Sequence, residues 1–60
     1  MRFTEVYTII QRTANDSWRV VDVTDNLHLA YELCADACNA AGVARTLVLN
    51  SMGQCVCVES

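Results

Sequence analysis

The sequence predicts an α+β fold of order ββαββ: a four-stranded, mostly antiparallel sheet with one helix packed on one face. Two observations carry this reading. Only residues 25–42, DNLHLAYELCADACNAAG, sustain a helical period. On each side lie two runs rich in β-branched and aromatic residues, separated by polar turn clusters. Strand pairs before and after a single helix leave that helix to cover one face of the sheet.

In chain order, residues 3–12 read as the first strand and residues 18–24, opened by Trp18, as the second. Between them Thr13 to Ser17 form a polar turn, in which Asn15 and Asp16 tolerate unusual backbone angles. A loop of this length suits a hairpin. In the helical stretch, Leu27, Ala30, Cys34, Ala37, Cys38 and Ala41 recur at three- and four-residue steps and form one stripe. Asp25 or Asn26 can accept a hydrogen bond from an orphan amide at its start, and Gly42 can end it in the left-handed conformation. Residues 45–50 form the third strand, Ser51, Met52 and Gly53 the turn, and residues 54–59 the fourth strand.

Alternation assigns the faces. A three-residue loop in the second hairpin pairs Leu49 with Cys55 and Leu47 with Cys57, and all four are expected to face the helix. In the first hairpin the inward set is Phe3, Tyr7, Ile9, Val21 and Val23. The other face is expected to carry Val6, Ile10, Trp18, Val20, Val48, Val56 and Val58, with Thr4, Thr8, Arg12, Asp22 and Thr46 interspersed. A solvated sheet face ordinarily turns polar, so this apolar face is a candidate contact surface. The alternative is that β-propensity alone put valines there.

Sixty residues form one domain, 1–60, and bury only about 60% of the unfolded chain's surface. A composition that is 53% hydrophobic exceeds what so small an interior holds, which favours a partner. Seven carboxylates against four arginines leave a formal charge of −3, and no lysine is present. That excludes the basic footprint of a nucleic-acid binder. No apolar run approaches the ~20 residues needed to cross a bilayer, and the N-terminus alternates rather than forming a signal-type segment. Cytoplasmic location and reduced thiols are expected.

Two constellations invite chemistry. Cys34, Cys38, Cys55 and Cys57 could form a thiolate metal site, helix-to-strand disulfides in either pairing, or four buried thiols. Their C-x₃-C and C-x-C spacings, inside a helix and a strand, suit neither a zinc knuckle nor a disulfide within each pair. His28, Glu32 and Asp36, spaced by four, line an outer helical ridge that reads as a solvated face or as an acidic docking surface. Leu29 lies beside this ridge as an apolar anchor for such a surface. With one histidine and no nucleophile or phosphate-loop motif, neither catalysis nor a cofactor is expected.

Two resemblances add to this frame. A Trp-opened second strand (Trp18), an alanine-rich helix and a final apolar hairpin turning at Gly53 make the chain similar to a group of short bacterial ββαββ proteins. That likeness implies a fold and no activity. In size, charge and class the chain also resembles phage-encoded inhibitors of bacterial defence, the type I anti-CRISPR proteins, which share no defining motif. That resemblance implies occupation of a surface on a nucleic-acid-binding defence complex.

The expected function is therefore a non-enzymatic protein-interaction module, most concretely a small acidic inhibitor of phage or mobile-element type. Leu29, Glu32, Asp36, Ile10, Trp18, Val20 and Val56 are its expected partner-binding residues. The alternatives are a cysteine-thiolate metal or redox module and a housekeeping homodimer.

Overall fold

The computed structural model describes residues 4–39 and 42–59. Strands β1 (Tyr7–Thr13) and β2 (Trp18–Thr24) precede helix α1 (Leu27–Cys38), and β3 (Val43–Leu49) and β4 (Cys55–Glu59) follow it. The four strands form one antiparallel sheet in the order β2-β1-β3-β4. The ββαββ order and the helix on one face are as the sequence predicts. β1 and β3, from opposite sides of the helix in sequence, become the two central strands.

The first hairpin turns where Asn15 and Asp16 were expected to permit it. Thr13 N–H donates to the Ser17 carbonyl at 2.8 Å, and Asp16 adopts φ 71°, with its carboxylate paired to Arg12. In the second turn Asn50 organises the chain. Its Oδ1 accepts from the amides of Met52 (3.0 Å) and Gln54 (2.9 Å), while Gly53 occupies φ 81°, where a side chain is strained.

Asn26 caps α1, its Oδ1 accepting from Leu29 N–H at 3.1 Å. The helix stops at Cys38, short of Gly42, and Asn39 closes it with a right-handed backbone. Gly42 does take the left-handed conformation, at φ 82°, but as the entry to β3, where its carbonyl accepts from Ala14 N–H at 2.9 Å. β3 correspondingly begins at Val43, two residues before the predicted start. Phe3 and Ala41, assigned inward above, lie outside the described residues.

Directly paired residues of an antiparallel sheet share a face. Ile9 faces Val48 across β1 and β3, and Val48 faces Cys57 across β3 and β4. This row lies under the helix: Ile9, Val48, Ala30 and Cys34 are fully buried, and Tyr7, Val21, Leu33 and Cys57 pack around them. The next inner row is Arg19, Gln11, Thr46 and Glu59, with Gln11 and Thr46 buried.

The inward assignment of Leu47 and Leu49 is therefore corrected. They face away from α1, and Thr46 and Val48, expected outside, lie beneath it. The expected Leu47–Cys57 pair is likewise replaced by Leu47–Val58, because Val56 is an extra residue that shifts the register beyond Leu49–Cys55. A second bulge, at Val21, brings that residue to the core although Val23, two positions on, lies opposite Thr8 and is exposed. Leu27, expected on the buried stripe, is also exposed, at the helix's outer end.

Thr46 carries a stability prediction. Its residue is fully buried, and its hydroxyl has no hydrogen-bond partner among the described residues. A buried, unpaired hydroxyl costs about 1–3 kcal/mol in lost hydration. Thr46→Val removes that cost at nearly constant volume, so a gain of about 1–2 kcal/mol is expected in urea denaturation. Unchanged stability would mean that the hydroxyl is satisfied in solution.

Candidate functional site

The face turned away from α1 is organised in rows that follow from the register. Val20, Ile10, Leu47 and Val58 form an apolar row across all four strands. On one side of it lie Val23, Thr8, Leu49 and Cys55, and on the other Trp18, Arg12 and Arg45. Among the described residues no element covers these rows, since α1 packs on the opposite face. Exposure rises from the centre to the edges: Ile10 and Leu47 are half-buried, whereas Val20 is 61% and Val58 54% exposed.

Three of the predicted contact residues, Ile10, Trp18 and Val20, belong to this face. Val56 lies on the same edge strand as Val58, at the bulge, and is exposed. Sequence reasoning missed Leu47, Leu49 and Val23, which strengthen the apolar character of the same surface. The alternating sets in β3 are equally spaced, and their local hydropathy points the leucines the wrong way.

Both edge strands are bulged, β2 at Val21 and β4 at Val56. Bulges bend and twist an edge and so oppose the addition of another strand. The apolar row across the middle of the sheet remains as the surface on which a partner can sit.

The helix offers a different surface. His28, Glu32 and Asp36 are exposed along one ridge, with His28 Nε2 and Glu32 Oε1 3.3 Å apart. Leu29 and Tyr31, each 41% exposed, flank it. Both members of the His28–Glu32 pair are well hydrated, so the pair contributes little to stability and leaves the carboxylates available. The ridge and the open sheet face lie on opposite sides of the molecule, so no single flat partner surface covers both.

The cysteines do not form the four-thiol cluster of the alternative reading. Cys34 is buried and donates to the Thr46 carbonyl at 3.7 Å, Cys38 and Cys57 are half-buried, and Cys55 is exposed. The inward position expected for Cys55 is thus corrected: it stands opposite Leu49, on the open side. Among the described residues no group of three or more His, Cys, Asp or Glu side chains is arranged to hold a metal ion. Burial, with smaller contributions from Cys57, Glu59 and Cys38, pushes the Cys34 thiol up from 9.0 to about 12. Cys34 is therefore a poor nucleophile while the fold is closed.

No protein-family model matches the chain, and neither the curated proteins nor the solved structures compared with it yield a match. Among the described residues no helix is long and apolar enough to cross a membrane.

Proposed function

We propose that the chain is a non-enzymatic interaction module, most concretely a small acidic inhibitor of phage or mobile-element type, similar in kind to anti-CRISPR proteins. It docks on a nucleic-acid-binding defence complex in the cytoplasm. The observation that supports docking is the uncovered apolar row Val20, Ile10, Leu47 and Val58. Covering such a face is worth ~25 cal/mol per Å² of apolar area, which matters to a chain with so small a core. The choice of a basic target rests on the exposed Glu32 and Asp36 and on the net charge of −3. In this reading the sheet face supplies affinity, and the ridge steers encounter and shapes specificity.

The same row favours a second reading, a homodimer closed face to face. A two-fold pairing of one patch with itself is the commonest oligomeric solution.

The test begins with affinity purification of the tagged chain from its native host. Its binding is then compared with that of Val20→Asp/Leu47→Asp and of Glu32→Arg/Asp36→Arg at matched folding. The sheet-face variant is expected to weaken binding by more than about 30-fold, the effect of removing an interface hot spot. The ridge variant should act chiefly on association rate and flatten the dependence on salt. Retained affinity in the sheet-face variant would reject docking through the sheet. A dimer mass in light scattering, lost in that same variant, would select the homodimer instead.

A further inference from the structure

Two of the four thiols, from elements far apart in sequence, are brought against each other. Cys34 lies at the centre of the buried face of α1, in the cluster with Ile9, Ala30 and Val48. Cys57 stands opposite Val48 on the inner face of β4 and packs against that same cluster. Both side chains thus pack on the one cluster that lies between α1 and the inner face of the sheet, and Cys57 adds to the burial that keeps the Cys34 thiol protonated. The remaining combinations are less suited. Cys55 points to the open side, and Cys38 lies a helical turn beyond Cys34. Pairs at i,i+4 on a helix or i,i+2 on a strand diverge from disulfide geometry.

We propose that Cys34 and Cys57 form a reversible disulfide that fastens α1 to the edge strand β4 when the protein meets a small disulfide oxidant of the glutathione class. This inference is independent of the docking reading. In the first step the half-buried Cys57 attacks one sulfur of the small disulfide, forming a mixed disulfide and releasing one small thiol. In the second, Cys34 attacks the Cys57 sulfur, and its proton leaves with the second small thiol. Two protein thiols are oxidised to one bridge, and one small disulfide is reduced to two thiols.

The bridge acts where the sheet is held least. β4 is five residues long, pairs with β3 alone, and carries the Val56 bulge. The closed loop spans roughly two dozen residues, long enough for a large entropic constraint on the unfolded chain. Because Cys34 holds its proton in the closed fold, the second step is the slow one and proceeds through transient loosening of α1 from β4.

The test incubates the purified chain with oxidised glutathione and follows intact mass, cross-linked peptides and Tm. The expected product has lost two hydrogens, yields a Cys34–Cys57 peptide, and melts at least about 10 °C higher than the reduced chain. Dithiothreitol should reverse all three changes. Cys38→Ala/Cys55→Ala should keep the response, and Cys57→Ser should lose it. A bridge through Cys38 or Cys55, a product that stops at the mixed disulfide, or a Cys34–Cys57 bridge without a rise in Tm would each overturn the proposal. Should Cys57→Ser fail to fold, the peptide map and melting of the double variant still decide it.

Discussion

Ile9→Ala is expected to remove a large share of the chain's stability, about 2–5 kcal/mol in urea denaturation. Ile9 is fully buried on a central strand, where it meets Val48, Ala30 and Cys34. Truncating such a residue removes its transfer energy and leaves a cavity, at a cost of about 2–5 kcal/mol. A chain of this size has only about 3–9 kcal/mol of stability to lose, taking ~0.05–0.15 kcal/mol per residue. The neighbouring variant Ile10→Ala is the informative comparison, since Ile10 lies on the uncovered face. It should cost less than about 1.5 kcal/mol in urea denaturation, because a half-buried side chain surrenders only part of its transfer energy. Equal losses at both positions would mean that the open face is covered in solution. A concentration-dependent midpoint would then assign the cover to a second copy.

The contrast between Ile9 and Ile10 also marks how far the sequence could be read. Element order was legible because periodicity and turn chemistry are local properties. Asn26 and Asp16 hold conformations that their short polar side chains favour, and Gly53 takes the positive φ that the lack of a Cβ permits. Facing was legible in β1, where Ile9 was correctly placed inward, but not in β3. There the alternating sets Thr46/Val48 and Leu47/Leu49 are both compatible with a strand, and hydropathy favours the leucines. What decides between them is long-range. α1 presents the small residues Ala30 and Cys34, which allow close approach to the β-branched Val48 and Thr46. The larger leucines are left on the other side. The bulges at Val21 and Val56 had no sequence signal of their own, and each shifts register in an edge strand.

These long-range choices shaped the candidate site. The inward reading of β3 understated the apolar surface, since Leu47 and Leu49 belong with Ile10, Trp18 and Val20 on the open face. The acidic ridge was legible throughout, because a four-residue step on a helix leaves no freedom of register. An apolar sheet face and an acidic helix ridge on opposite sides make a division of labour for binding natural. In the proposed docking, one surface would remove water from the contact and the other would act at a distance through its field.

Alkaline pH should destabilise the chain through Cys34, in a window set by its two states. The unfolded thiol titrates near its ordinary value of 9.0, whereas burial holds the folded one to about 12. Above pH 9 the folded chain therefore keeps a proton that the unfolded chain has released. Stability is fully present below the unfolded value and falls as pH rises through the folded one, with a slope that approaches but does not exceed ~1.4 kcal/mol per pH unit for this group. Urea midpoints measured from pH 7.5 to 11 under reducing conditions should thus hold steady at first and then decline. The decisive quantity is the difference between the unmodified chain and Cys34→Ala, which isolates this one thiol. That variant should be less stable at neutral pH, having lost a buried sulfur, yet fall less steeply above pH 9. Parallel curves for the two proteins would show that the Cys34 thiol ionises as freely in the folded chain as in the unfolded one. The close packing of α1 on Val48 and Thr46 would then have to be looser than its burial implies.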